Sequence, residues 1–175
     1  MGPIKDRFLV TGLDALPAQP IDELYTYGDM ADVAKHGENL PETRLYRWLM
    51  ASWAAGRPVE GRGQVFDTEE KIRSYCRSNL DLLRSLQRDG YKYAGDDEIC
   101  FGITAAGDLL HMRRGTHRMA AARILELPSI TGRITHVDQS FAERAVTEAR
   151  QRGEGDSVAR ILGRAIQEVT RQTLA

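Results

Sequence analysis

The stretch from residue 98 to residue 137 constrains the fold most, because its apolar pattern changes from strand spacing to helix spacing and back. Ile99, Phe101 and Ile103 alternate with other residues, as in a half-buried strand. Residues 105–108 are Ala-Ala-Gly-Asp, which is typical of a turn, and residues 109–112 are mostly apolar again. The sequence therefore predicts a β-hairpin at the start of this stretch.

A helix and a further strand are predicted after the hairpin. Ala120, Ala121 and Ile124 fall on one side of a helix, which ends near Pro128 because proline cannot continue it. Residues 130–137 alternate again between apolar and polar, as a strand does. The order strand, turn, strand, helix, strand predicts an α+β fold in which helices pack on a small mixed sheet.

The chain before this stretch combines a short strand, turns and helices. Phe8–Val10 predicts a strand, and the prolines at 17 and 20 predict a turn that leads into Ile21–Leu24. Residues 41–55 carry apolar side chains at helical spacing and predict a helix. Residues 56–66 contain three glycines and a proline among charged residues, so they predict an exposed loop that could act as a lid.

A long amphipathic helix and two C-terminal helices complete the prediction. Residues 67–70 form a capping box, and the apolar stripe that follows continues to Gly90. Ser140 and Glu143 predict the cap of the next helix, and residues 153–156 predict the break before the last one. The last helix has an apolar stripe that must pack on the core or on a partner. The residues of this stripe are Val158, Ile161, Leu162, Ala165, Ile166 and Val169.

Composition limits the possible functions. The chain of 175 residues is 42% hydrophobic and 28% charged, which suits one domain with appendages. The chain has a formal net charge of -1 and therefore lacks the excess of basic residues that a protein needs to wrap nucleic acid. Any site for a polyanion must be local. Cys76 and Cys100 show no zinc-ligand or disulfide spacing, and we assign no metal ligands. We expect a cytoplasmic protein without a membrane partner, because no long apolar run or signal-like start is present.

The loop before the helix at 120 is the strongest candidate for a site. A helix N-terminus presents unpaired N–H groups and a partial positive charge, so it favours anions, yet this one is rich in cations. Arg118 could bind phosphate in a bidentate manner, and Gly115 would allow close approach of a ligand. The alternatives are an ordinary Gly-Thr cap with solvated arginines, or a site for sulfate, a carboxylate metabolite or an acidic segment. The candidate anion-binding residues are Arg113, Arg114, Gly115, Thr116, His117 and Arg118.

Residues 107–122 resemble the signature of the ParB/sulfiredoxin superfamily, in which a hairpin strand leads through Gly-x-His-Arg into an Ala-rich helix. Residues 20–24 are similar to that superfamily's opening Pro-Ile-x-x-Leu strand. The resemblance implies that the Gly-x-His-Arg turn, here 115–118, binds nucleotide phosphates. It also implies a nucleotide-binding domain over 1–137, with a helical insertion at about 41–90 and a C-terminal helical extension over 138–175.

Differences within the superfamily narrow this expectation. Sulfiredoxins carry a nucleophilic cysteine where this chain has Thr116, so the resemblance does not extend to cysteine repair. Because the stretch after Val137 is short, we do not expect a full partition protein, which adds DNA-binding and dimerisation parts. The loop is more similar to that of the free-serine kinases, which need an acidic residue to activate the substrate hydroxyl. The catalytic candidates are Glu23, Asp29, Asp32 and His117.

Two functional hypotheses follow from the sequence and the resemblance. The first is an ATP-dependent phosphotransferase or nucleotide hydrolase that binds ATP or a related nucleotide, with Mg²⁺, and acts on a small acceptor. The second is a non-catalytic module, in which a nucleotide switches binding to DNA or protein, or self-association through the C-terminal helix. DNA is the less favoured partner because acidic residues dilute the arginines of the last two helices.

Overall fold

The computed structural model describes residues 8–16, 18–61, 63–92, 98–112 and 114–172. These residues form two sheets, six α-helices and three short 3-10 helices. In chain order the strands and α-helices are β1 (Leu9–Val10), α1 (Tyr25–His36), α2 (Arg44–Ala54), β2 (Val59–Gly61), β3 (Gln64–Phe66), α3 (Glu69–Asp89), β4 (Ile99–Ile103), β5 (Leu109–His111), α4 (Thr116–Ile124), β6 (Gly132–Asp138), α5 (Gln139–Gln151) and α6 (Val158–Gln172). The 3-10 helices are Leu13–Ala15, Ile21–Glu23 and Leu40–Glu42.

The chain divides into two compact units. Unit 1 contains the described residues of Met1–Ala18, Tyr93–Gly115 and Thr131–Ala175. Unit 2 contains those of Gln19–Lys92 and Thr116–Ile130. The sequence analysis expected a domain over residues 1–137 and a helical extension over 138–175. These two compact units do not test that boundary, which stays a prediction.

Unit 1 is built on a four-stranded mixed sheet with the strand order β1-β6-β4-β5. Strand β6 runs parallel to both β1 and β4, whereas β4 and β5 form an antiparallel hairpin. In this hairpin Phe101 lies opposite His111, and Ile103 lies opposite Leu109. The predicted hairpin and the predicted α+β class, with helices packed on a small mixed sheet, are both confirmed.

The apolar stripe of α6 packs into the core of unit 1. Leu162 belongs to a buried cluster with Ile103 and Val137, and Ile166 packs against that cluster. Burial of such side chains contributes about 1.5–3 kcal/mol each towards holding the helix on its own sheet. The sequence left open whether this stripe packs on the core or on a partner, and the structure shows that it packs on the chain's own core. Val158, at the start of the helix, is the exposed member of the stripe, at 54%.

Asp138 joins the end of β6 to the start of α5. This buried carboxylate accepts a hydrogen bond from the Ser140 N–H at 2.9 Å with Oδ1. Its Oδ2 accepts from the N–H groups of Gly12 and Leu13 at 3.0 and 3.1 Å. The prediction of Ser140 as the cap of α5 was wrong, because the helix begins at Gln139 and Asp138 occupies the capping position.

Unit 2 is a helical unit with a small hairpin. Its core contains side chains from all four of its helices, and Met30, Leu49, Ile72 and Ala121 are essentially inaccessible to solvent. The predicted long helix is confirmed as α3, since the Thr68 hydroxyl accepts from the Lys71 N–H at 3.3 Å and Gly90 ends the helix. Helix α2 is also confirmed, although it starts later than expected, at Arg44.

Three local predictions in unit 2 need correction. The supposed loop 56–66 contains the antiparallel strands β2 and β3, with Val59 opposite Phe66 and with Phe66 buried. The segment compared with an opening strand contains a 3-10 helix, Ile21–Glu23. Helix α1 was not predicted, because Gly28 and the preceding prolines suggest a turn rather than a helix.

None of the helices in the described ranges combines the length and apolar character that a membrane span requires.

Candidate functional site

The first turn of α4 carries most of the predicted anion-binding residues. The helix is nine residues long and starts at Thr116, directly after the turn residues Arg114 and Gly115. Its first three N–H groups therefore belong to the Thr116-His117-Arg118 segment, as the sequence predicted for a helix N-terminus. Arg113, another predicted phosphate ligand, lies outside the described residues.

In unit 1, Gly115 lies against the start of β4. Its φ of +81° is in the left-handed region, and a Cβ at this position would lie 2.7 Å from Cα of Ile99. That separation is shorter than van der Waals contact with a backbone atom, which cannot move aside easily. Glycine is thus required here for packing, whether or not a ligand also approaches it.

His111 fixes the peptide of Arg114 within unit 1. Nε2 of His111 donates to the Arg114 carbonyl at 2.9 Å, and the Cys100 N–H donates to the same oxygen at 3.3 Å. Burial lowers the pKa of His111, an effect that the hydrogen bond to Arg114 partly opposes. The Arg114 side chain is exposed.

In unit 2, His117 contacts Tyr75 on α3. The Tyr75 hydroxyl lies 3.2 Å from Nε2 of His117, and the two rings meet edge to face with centroids 6.5 Å apart. The Phe66 ring also packs against Tyr75, with the two ring centroids 4.8 Å apart. His117 therefore lies beside the aromatic side chains of unit 2.

Arg118 lies over an aromatic ring. Its guanidinium carbon lies 5.9 Å from the centroid of Tyr91, within the range of a cation–π interaction. Within the described ranges, no carboxylate forms an ion pair with Arg118. Arg118 is half-buried, and a guanidinium group can donate two parallel hydrogen bonds to phosphate oxygens.

The acidic catalytic candidates have other partners. Asp29 forms an ion pair with the Arg44 guanidinium at 2.7 Å, and Asp32 accepts from the Arg44 N–H at 2.5 Å. Asp32 also lies 3.5 Å from Nε2 of His36. Both carboxylates thus connect α1 to the N-terminus of α2, where a negative charge is favourable. The Glu23 side chain is exposed, and its carbonyl accepts from the Gln19 amide at 3.2 Å.

Two aromatic residues of this arrangement were not among the predicted site residues. Tyr75 lies within the apolar stripe of α3, and Tyr91 directly follows the glycine that ends this helix. Their contacts with His117 and Arg118 join residues far apart in sequence, so no local pattern predicts them. A tyrosine within an apolar stripe is nevertheless a usable signal, because its hydroxyl needs a polar partner.

No family model, no curated protein and no solved structure matches this chain. Among the described residues, no group of three or more His, Cys, Asp or Glu side chains is arranged to hold a metal ion.

Proposed function

We propose that this chain is a nucleotide-phosphate-binding protein of the ParB/sulfiredoxin type, and that the N-terminal turn of α4 contacts the phosphates. The observation that carries the proposal is the position of Arg118, which lies in the first turn of α4 with its guanidinium carbon over the ring of Tyr91. A cation at a helix N-terminus costs about 0.3–1 kcal/mol, and a bound phosphate converts this repulsion into attraction.

The activity that we propose is ATP-dependent phosphoryl transfer to a small hydroxyl acceptor, or nucleotide hydrolysis. A carboxylate would take the proton of the attacking hydroxyl, and Mg²⁺ bound with the nucleotide would offset charge on the phosphates. Glu23 is the acidic candidate whose carboxylate shows no ion pair among the described residues. Asp29 and Asp32 are weaker candidates because both contact Arg44.

The engagement of these two aspartates favours a second candidate, a non-catalytic nucleotide-binding module. A carboxylate that bonds to an arginine or a helix N-terminus is a poorer base, because its charge is already stabilised. In this alternative the nucleotide binds without turnover and alters association with DNA, protein or a second copy of the chain. Multiple-turnover release of phosphate or ADP in the presence of Mg²⁺ would exclude it.

Calorimetry with ATP, ADP, CTP and GTP, with and without Mg²⁺, tests the shared part of both candidates. Arg118→Ala removes charge-assisted hydrogen bonds, so we expect about ten- to hundredfold weaker binding. Arg123→Ala is the matched control, because it removes an exposed arginine from the last turn of the same helix. Failure of every nucleotide to bind, or equal weakening by both substitutions, would refute the proposal.

A further inference from the structure

We propose that Tyr75 is a positioning residue that fixes the ring orientation and the protonated nitrogen of His117. Its hydroxyl lies 3.2 Å from Nε2 of His117, a distance that allows a hydrogen bond. The importance of this contact for ligand binding rests on the proposed phosphate-binding function, whereas the contact itself can be tested without any ligand.

Acidity determines the direction of this hydrogen bond. A neutral imidazole has one N–H donor and one acceptor nitrogen, and a tyrosine hydroxyl can donate or accept. A phenol is a stronger acid than the N–H of a neutral imidazole, so the stronger bond has the Tyr75 hydroxyl donating to Nε2 of His117. The ring proton of His117 is then on Nδ1.

The surroundings of Tyr75 restrict where its hydroxyl can lie. The residue is half-buried on α3 and flanked in the same stripe by Ile72 and Cys76, neither of which is accessible to solvent. The Phe66 ring packs against it at 4.8 Å, with an interplanar angle of 31°. A tyrosine held on its helix and on its ring face has few alternative positions, so little rotational entropy is lost when its hydroxyl binds a partner.

The consequence concerns how His117 would bind an anion. With Nε2 accepting from Tyr75, any phosphate oxygen that the neutral ring binds must receive its hydrogen bond from Nδ1–H. In the opposite tautomer Nδ1 carries a lone pair, which repels a phosphate oxygen. Tyr75 would thus select the form of His117 that is compatible with an anion at the start of α4.

Nitrogen-15 NMR of the full chain tests the tautomer directly. The chain has four histidines, and the His117→Gln spectrum identifies the signals of His117. Spectra are recorded well above the ordinary histidine pKa of about 6.5, because a tautomer is defined only for a neutral ring. We expect Nδ1–H in the parent and a shift of the population towards Nε2–H in Tyr75→Phe.

Tyr46→Phe is the control, because it removes another hydroxyl of unit 2, the one that donates to Glu69 at 3.0 Å. We expect this variant to keep the parental tautomer of His117. An Nε2–H tautomer in the parent, or an unchanged tautomer in Tyr75→Phe, would overturn the proposal.

Titration with inorganic pyrophosphate tests whether the contact serves binding. We expect Tyr75→Phe to bind about two- to tenfold more weakly than the parent, as for loss of one ordinary hydrogen bond, and Tyr46→Phe to bind normally. Equal affinities of Tyr75→Phe and the parent would overturn the positioning role. If the parent fails to bind pyrophosphate and every nucleotide, the proposed function fails instead, and the NMR result still decides the contact between Tyr75 and His117.

Discussion

At the scale of single residues, Gly115 combines two constraints that only glycine satisfies. We expect Gly115→Ala to lower the free energy of unfolding by about 2–5 kcal/mol. Alanine is strained in the left-handed backbone conformation of this position, and its Cβ would also clash with a neighbouring atom. That neighbour is backbone of Ile99, 2.7 Å from the added atom. Urea denaturation of the two proteins measures the difference.

Gly153 provides the control for this substitution. Its φ is +78°, but a Cβ there would meet no atom within 4 Å. Gly153→Ala should therefore show only the conformational cost of about 1–2 kcal/mol. Equal losses in the two variants would mean that the close approach to Ile99 contributes nothing.

The low pKa of His111 predicts a pH dependence of stability. Because burial favours the neutral ring in the folded chain, the unfolded chain binds a proton first as the pH falls below about 6.5. The contribution of His111 is therefore complete above that pH and is lost as the pH falls through its lower, folded-state pKa. We expect the free energy of unfolding to fall less steeply on acidification in His111→Gln, which keeps a donor for the Arg114 carbonyl but does not titrate.

Urea unfolding of both proteins between about pH 7 and pH 5 measures this slope. An NMR titration of the parent should place the midpoint of His111 below the ordinary value of about 6.5. A midpoint at or above that value, or identical slopes in the two proteins, would contradict the prediction.

At the scale of secondary-structure elements, Asp32 links α1 to the start of α2. Asp32→Ala removes the acceptor of the Arg44 N–H, so we expect a loss of about 0.5–2 kcal/mol in the free energy of unfolding, as for a lost helix cap. If its role is only structural, nucleotide affinity and any turnover should remain close to the parental values when corrected for the folded fraction. A large fall in kcat with unchanged stability would instead identify Asp32 as a catalytic base. Urea denaturation and a turnover assay on the same preparations separate these outcomes.

The elements that the sequence predicted well are those whose signals are local and long. Helix α3 has a cap, a stripe of many turns and a terminal glycine, and the β4–β5 hairpin has a Gly-Asp turn between apolar runs. Strands β2 and β3 have three residues each, too few for alternation to stand out among glycines. In α1 the buried residues Thr26, Met30 and Val33 do follow helical spacing, but Gly28 conceals the pattern.

The candidate site was predictable only in its contiguous part. The sequence predicts a helix N-terminus at the loop 113–118, because a glycine and a threonine at a cap-like position precede an Ala-rich stripe. The aromatic partners Tyr75 and Tyr91 come from distant positions and depend on how the helices of unit 2 pack. The same packing brings Asp29 into an ion pair with Arg44. This ion pair weakens the case for Asp29 as a catalytic carboxylate on α1.

At the scale of the whole molecule, the two units allow ligand binding to be located by its effect on stability. A ligand that binds only the folded state adds about 2.7 kcal/mol at a concentration of a hundred times Kd. For a chain of this size, that corresponds to a rise in Tm of about 5–11 °C. If the units unfold in separate transitions, a nucleotide contacted chiefly by α4 should raise the transition of unit 2 more than that of unit 1.

Differential scanning calorimetry with and without ATP·Mg²⁺ tests this last prediction. Sulfate at equal ionic strength provides the comparison for the general effect of salt and polyanions on the chain. We expect ATP to raise the Tm of the parent and of Arg123→Ala, but to have much less effect on Arg118→Ala. An equal rise with sulfate would indicate an anion site without nucleotide recognition. An equal rise in all three proteins would mean that the nucleotide binds away from Arg118.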